Sequence, residues 1–123
     1  MNDRFKFRVW DTRLKEYNAE HTYCLFEDGD LGEYDGVTPI QEWYIVEQCT
    51  GLKDKNGNLI YEGDIIKDRG EIMYKIQWKD ASFFAVALDN FNYMPDCYLV
   101  QQWLNTWKAE IIGNVHEQAE QKE

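Results

Sequence analysis

Cysteine is scarce in this 123-residue chain, and its three occurrences, Cys24, Cys49 and Cys97, are odd in number and widely separated. That spacing supports neither a disulfide framework nor a Cys-x-x-Cys metal clip, and buried or bystander thiols are expected instead. Histidine is scarcer still. His21 and His116 are the whole supply, and neither stands in a recognisable nucleophile context for a catalytic triad. His21 and Cys24 form a His-x-x-Cys pair without companions at metal-ligand spacing, so no metal is expected. Phosphate-loop, dinucleotide and nucleophile-elbow glycine patterns are all missing, which argues against an enzyme and against any cofactor. No apolar run approaches the roughly 20 residues that a membrane span needs, and the start lacks a charged-then-apolar signal pattern, so a cytoplasmic protein is expected. Basic residues number 13 against 23 acidic ones, a net charge of −10. Such a surface repels polyphosphate unless a local cluster overrides it, so nucleic acid and anionic membranes are disfavoured partners.

What the chain does hold is core material and turn punctuation. Hydrophobic residues make up 44% and aromatics 15%, enough for one compact domain over residues 1–117, followed by a polar tail at 118–123. The densest punctuation runs from Thr50-Gly51 through Asn56-Gly57 to Tyr61-Glu62-Gly63-Asp64. Asn56-Gly57 predicts a two-residue hairpin turn with positive φ at both positions. Gly63-Asp64 predicts a second turn in which the carboxylate accepts a main-chain N–H, and that role outweighs acid–base chemistry for Glu62 and Asp64.

These residues also carry a resemblance. The run from Thr50 to Ile65, together with Phe5-Lys6-Phe7-Arg8-Val9-Trp10-Asp11 and Ile111-Ile112-Gly113-Asn114-Val115-His116-Glu117, resembles the signature of the YopX family of small phage and prophage proteins. The resemblance implies a mainly β, SH3-like barrel and a phage context inside a bacterial host cell. It implies no catalytic activity.

Along the chain, Arg4 to Val9 alternates basic and apolar residues as a strand with a basic outer face, and Tyr17 to Phe26 reads as its return strand in an N-terminal hairpin. Residues 27–36 are acidic and glycine-rich, which predicts an exposed loop. Calcium is not expected there, since the EF-hand positions after Asp28 and Asp30 are not filled. Trp43 to Val46 predicts a buried strand. Ile72 to Trp78 alternates with Ile72, Tyr74, Ile76 and Trp78 inward, and Phe83 to Leu88 is apolar enough to be buried on both faces. Residues 89–97 predict a surface loop. Leu99, Trp103, Leu104 and Trp107 fit a short amphipathic helix within 98–109, and Gly113 predicts a bulge in a last strand.

Function then rests on surface recognition. The basic face of Arg4, Lys6 and Arg8 and the acidic residues Asp28, Asp30, Glu33 and Asp35 are candidates for pairing across copies of the chain or within one, with Trp103 and Trp107 as aromatic anchors. A non-enzymatic module that self-associates or binds a host or phage protein is the expectation. The alternative is a small nucleic-acid-binding barrel, but between Thr50 and Gly70 the cations Lys53, Lys55, Lys67 and Arg69 are balanced by Asp54, Glu62, Asp64 and Asp68.

Overall fold

The computed structural model describes residues 6–17, 23–25, 31–33, 44–88 and 96–117. These form a mainly β protein with two compact units, one of residues 7–47 and one of residues 1–6 with 48–123.

In the smaller unit, β1 (Phe7–Asp11) pairs antiparallel with β2 (Glu16–Tyr17), so an N-terminal hairpin is present, but Tyr23–Leu25, expected to continue its return strand, pairs elsewhere. Its turn is built by Asp11, whose Oδ1 accepts the N–H of Arg13 at 2.8 Å and of Leu14 at 3.2 Å. Burial alone would push this carboxyl up, but those N–H groups and the Arg13 guanidinium hold it below its ordinary value. Its contribution to stability is therefore present above the unfolded carboxylate range and lost as pH falls through the lowered folded value.

The strand β3 (Tyr23–Leu25) pairs with β4 (Leu31–Glu33), so part of the acidic segment is strand, not loop. Leu25 stands opposite Leu31 in this pair. The next strand, β5 (Tyr44–Lys53), begins in this unit and continues in the other. Its start is not buried as expected, since Ile45 is exposed. Glu47 and Cys49 are its buried positions, and two partners satisfy the Glu47 carboxylate there: Arg8 Nε at 2.9 Å and the Tyr17 hydroxyl at 2.8 Å.

In the larger unit β5 pairs with β6 (Leu59–Tyr61), with a register shift between Cys49 and Lys53 that leaves two extra residues on β5. Thr50-Gly51-Leu52 is this bulge. Gly51 takes φ 81°, and the Thr50 hydroxyl donates to the Ile60 carbonyl at 2.8 Å while accepting the Leu52 N–H at 3.0 Å, replacing the ladder bonds lost there. The chain continues through β7 (Asp64–Lys67), β8 (Met73–Lys79), β9 (Ser82–Ala87), β10 (Cys97–Tyr98), the helix α1 (Gln101–Trp107) and β11 (Glu110–Asn114). The five strands lie in the order β10-β9-β8-β7-β11, all antiparallel. Cys97 and Tyr98 are thus strand, because they complete the edge beside β9.

One apolar cluster fills this unit: Ile60, Ile66, Tyr74, Ile76, Ala85, Leu99, Leu104 and Ala109. The inward row predicted for β8 holds at Tyr74 and Ile76 but fails at Trp78, which is exposed and lies edge-on to its cross-strand neighbour Phe83 at 4.8 Å. Phe84 and Ala85 are adjacent and both buried, as a doubly covered strand requires. The bulge expected near Gly113 is present as a register shift between Ile111 and Gly113.

Asn56-Gly57 does reverse the chain, but not as a two-residue turn. Gly57 has φ 84° while Asn56 does not have positive φ, and the loop spans the five residues between the paired Lys53 and Leu59. A two-residue connection occurs instead between β8 and β9, where Lys79 pairs Ser82 and the intervening Asp80 and Ala81 have φ 50° and 61°. Alanine in the left-handed region is strained by its Cβ. Ala81→Gly is expected to raise the unfolding free energy by about 0.5–1 kcal/mol, the left-handed penalty less the extra freedom of an unfolded glycine, measured as a shift in denaturant midpoint.

Candidate functional site

The organising feature of the larger unit is a pair of loops with the same hydrogen-bond plan. In the first, Asp54 Oδ1 accepts the N–H groups of Asn56 and Asn58, each at 2.9 Å, its carbonyl accepts Gly57 N–H at 3.0 Å, and its own N–H donates to the Asn58 carbonyl at 2.9 Å. In the second, Asp68 Oδ1 accepts Gly70 N–H at 2.8 Å and Ile72 N–H at 3.1 Å, its carbonyl accepts Glu71 N–H at 2.9 Å, and its N–H donates to the Ile72 carbonyl at 3.0 Å. The residue three past each aspartate has positive φ: Gly57 at 84° and Glu71 at 65°. Each is a main-chain turn cored by a carboxylate.

The remaining carboxylate oxygens reach further. Asp54 Oδ2 accepts the N–H of Ile111 at 3.0 Å, so the side chain stands where a neighbouring strand would pair with β11. Asp68 Oδ2 accepts the Tyr74 hydroxyl at 2.9 Å. Burial and this carboxylate push the Tyr74 phenol well above its ordinary value. The neutral phenol is the form the fold favours, so its stabilisation is complete below the unfolded tyrosine pKa of about 10 and is lost above it. Wild-type stability is expected to decline above about pH 10 more steeply than that of Tyr74→Phe, with absorbance near 295 nm showing one tyrosine that titrates only on unfolding.

Asp64 follows the same logic at Gly63, which has φ 88°: Asp64 Oδ2 accepts the Tyr61 N–H at 2.8 Å, as the sequence predicts. Glu62 Oε1 likewise accepts a main-chain N–H, from Gln48 at 3.4 Å. Asn114 closes β11 by accepting the N–H of His116 at 3.0 Å and of Glu117 at 3.1 Å.

Both aspartate loops grip the end of α1. Lys55 N–H donates to the Ala109 carbonyl at 2.9 Å and Arg69 N–H to the Trp107 carbonyl at 2.8 Å, while Lys108 between them ends the helix with φ 53°. The Arg69 guanidinium lies 4.9 Å above the Trp107 ring, and Trp107 remains 39% exposed. Trp103 turns the other way and meets Tyr74 edge-on at 5.2 Å against the core. At the β10 edge, Tyr98 stands over Phe84 with centroids 4.6 Å apart, and Lys79 covers the Phe84 ring at 4.9 Å while pairing with Asp96.

The predicted interface residues are scattered among these surroundings. Arg8 is half-buried against Glu47 and lies over the Tyr17 ring at 4.2 Å, so it belongs to its own unit's interior and not to a wet basic face. The Lys6 carbonyl accepts the Cys49 N–H at 2.9 Å. Glu33 lies in β4, whereas Arg4, Asp28, Asp30 and Asp35, along with the predicted tail, fall outside the described residues. Sequence reasoning missed Asp54 and Asp68 as organisers, although an aspartate three residues before a glycine is a type I turn signal at Asp54. Among the described residues no three potential metal ligands cluster, and no helix is long and apolar enough to cross a membrane.

These features define a small, mainly β protein whose turns are built on buried aspartates and whose surface carries exposed aromatics. The YopX protein family model matches residues 6–121, and the chain belongs to that family. Among solved structures it is similar to protein EF1440 from Enterococcus faecalis, at 30% identity and a TM-score of 0.62, covering 96% of this chain and 97% of that one. YopX from Bacillus subtilis shares the fold at 20% identity and a TM-score of 0.59, with 95% of each chain covered. No curated protein matches the chain.

Proposed function

We propose that this YopX-family chain is a non-enzymatic recognition module of phage or prophage origin that acts in the host cytoplasm and self-associates. Its larger unit is taken as a small SH3-like barrel, a reading supported by the bulges at Thr50–Leu52 and Ile112 and by Asp54 bridging to β11. The observation that carries self-association is the β10 edge, where Tyr98 is 66% exposed and Val100 is also exposed. The adjoining Lys79–Asp96 pair places both signs of charge beside this apolar surface. A patch with both signs can complement itself across a two-fold axis, Lys79 of one copy facing Asp96 of the other.

Sedimentation velocity over a concentration series tests it. A concentration-dependent dimer is expected, weakened about tenfold or more by Tyr98→Asp, which is about 1.4 kcal/mol. A strict monomer at every concentration, or a dimer indifferent to Tyr98→Asp, would overturn the reading.

A further inference from the structure

The sum of charges between Thr50 and Gly70 is neutral, but its members do not share one surface. Asp54, Asp64 and Asp68 are 5%, 1% and 5% exposed, each with its carboxylate accepting main-chain N–H groups. Lys53, Lys55 and Arg69 are exposed, and the fold adds Lys108 beside them. The hydrogen bonds from Lys55 to Ala109 and from Arg69 to Trp107 bracket Lys108 directly. Lys53 is held to the other end of α1 by two bonds with Gln101, one helix length away, about 10 Å. Glu110 of β11 is committed to Lys55 at 3.7 Å and to Asn56 at 3.3 Å. Among the described residues Lys53, Arg69 and Lys108 have no carboxylate within ion-pair distance.

We propose that the end of α1, framed by the two aspartate loops, is a binding site for single-stranded nucleic acid. Lys53, Lys55 and Lys108 track successive phosphates, and a base stacks on the Trp107–Arg69 pair. An indole carrying a guanidinium offers planar surface and positive charge at one point, which suits a base next to its phosphate. A duplex keeps its bases stacked away from such a platform. The net charge of −10 does not forbid this, because exposed charges more than about 8 Å away are largely screened at physiological salt.

The test is fluorescence anisotropy of fluorescein-labelled dT20 and U20, with a duplex of equal length, against the full chain at low salt. Binding at micromolar protein is expected for the single strands, weaker for the duplex, with a log–log salt slope of about −2 to −3 for three or four phosphates. Arg69→Ala and Trp107→Ala should each weaken binding about tenfold or more. Lys108→Gly guards against misfolding as an explanation, since it removes a cation while relieving a left-handed residue: weaker binding with an equal or higher Tm is expected. The proposal is overturned by no anisotropy change at low salt, by binding that survives both Arg69→Ala and Trp107→Ala, or by a poly-glutamate peptide competing as well as unlabelled dT20. The last result would mark the patch as a reader of acidic protein segments.

Discussion

Replacing Asp54 with alanine is expected to lower the unfolding free energy by about 3–4 kcal/mol, among the largest effects any single substitution in this chain should produce. The side chain accepts three main-chain N–H groups, two within its own loop and one from Ile111 on β11. Alanine leaves those donors without their acceptor and also opens the edge of β11 that Asp54 covers. Asp54→Asn separates the two parts of this loss. An amide keeps one oxygen for the loop but turns an NH2 towards Ile111, so about half the destabilisation should remain. Urea unfolding at neutral pH measures both, and a change below about 1 kcal/mol for the alanine variant would contradict the role assigned to this residue.

Asp68→Ala should cost about 3 kcal/mol by the same mechanism, since Gly70, Ile72 and the Tyr74 hydroxyl all donate to it. Here a second substitution shows where the energy lies. Tyr74→Phe removes only the hydroxyl and is expected to cost about 1–2 kcal/mol, most of it from the buried Asp68 oxygen left without a donor. The two losses should not add. With Asp68 already gone, the phenol has lost its partner, and the double variant should resemble Asp68→Ala to within about 1 kcal/mol. Full additivity would mean that the hydroxyl and the carboxylate act independently, against the 2.9 Å contact between them.

Much of the fold was legible because it depends on short-range pattern. The alternation through Tyr74 and Ile76, the double burial at Phe84 and Ala85, and the helical spacing of Leu104 all follow from which face of an element must leave water. Gly63-Asp64 was legible down to its hydrogen bond because both halves of the turn chemistry sit side by side. Asn56-Gly57 was legible as a reversal but not in type. The organiser lies upstream at Asp54, and the aspartate that repeats its plan, Asp68, is hidden because its left-handed position falls on Glu71 and not on Gly70. Asp80-Ala81 hid a two-residue turn for the same reason, since nothing in an alanine announces positive φ.

The surface was less legible than the core, and charge is the clearest case. Counting treats every carboxylate alike, whereas three of the four acids between Thr50 and Gly70 face inward to main-chain N–H groups. Arg8 shows the converse: a cation on an alternating strand looks outward until the buried Glu47, 39 residues away, claims it. Long-range pairing of this kind carries no local signature. The same limit applies to Trp103 and Trp107, which one helical stripe groups together although one turns to Tyr74 and the other lies under Arg69.

Aspartate carboxylates hold the loops from within, and amide hydrogen exchange by NMR reads that directly. The N–H groups of Asn56, Asn58, Gly70, Ile72 and Ile111 should exchange only through openings of about 3 kcal/mol or more, although Asn56, Asn58 and Gly70 belong to exposed loop residues. Exchange of those three loop amides at the rate of an unstructured chain would show that the carboxylates do not hold them, and the account would fail.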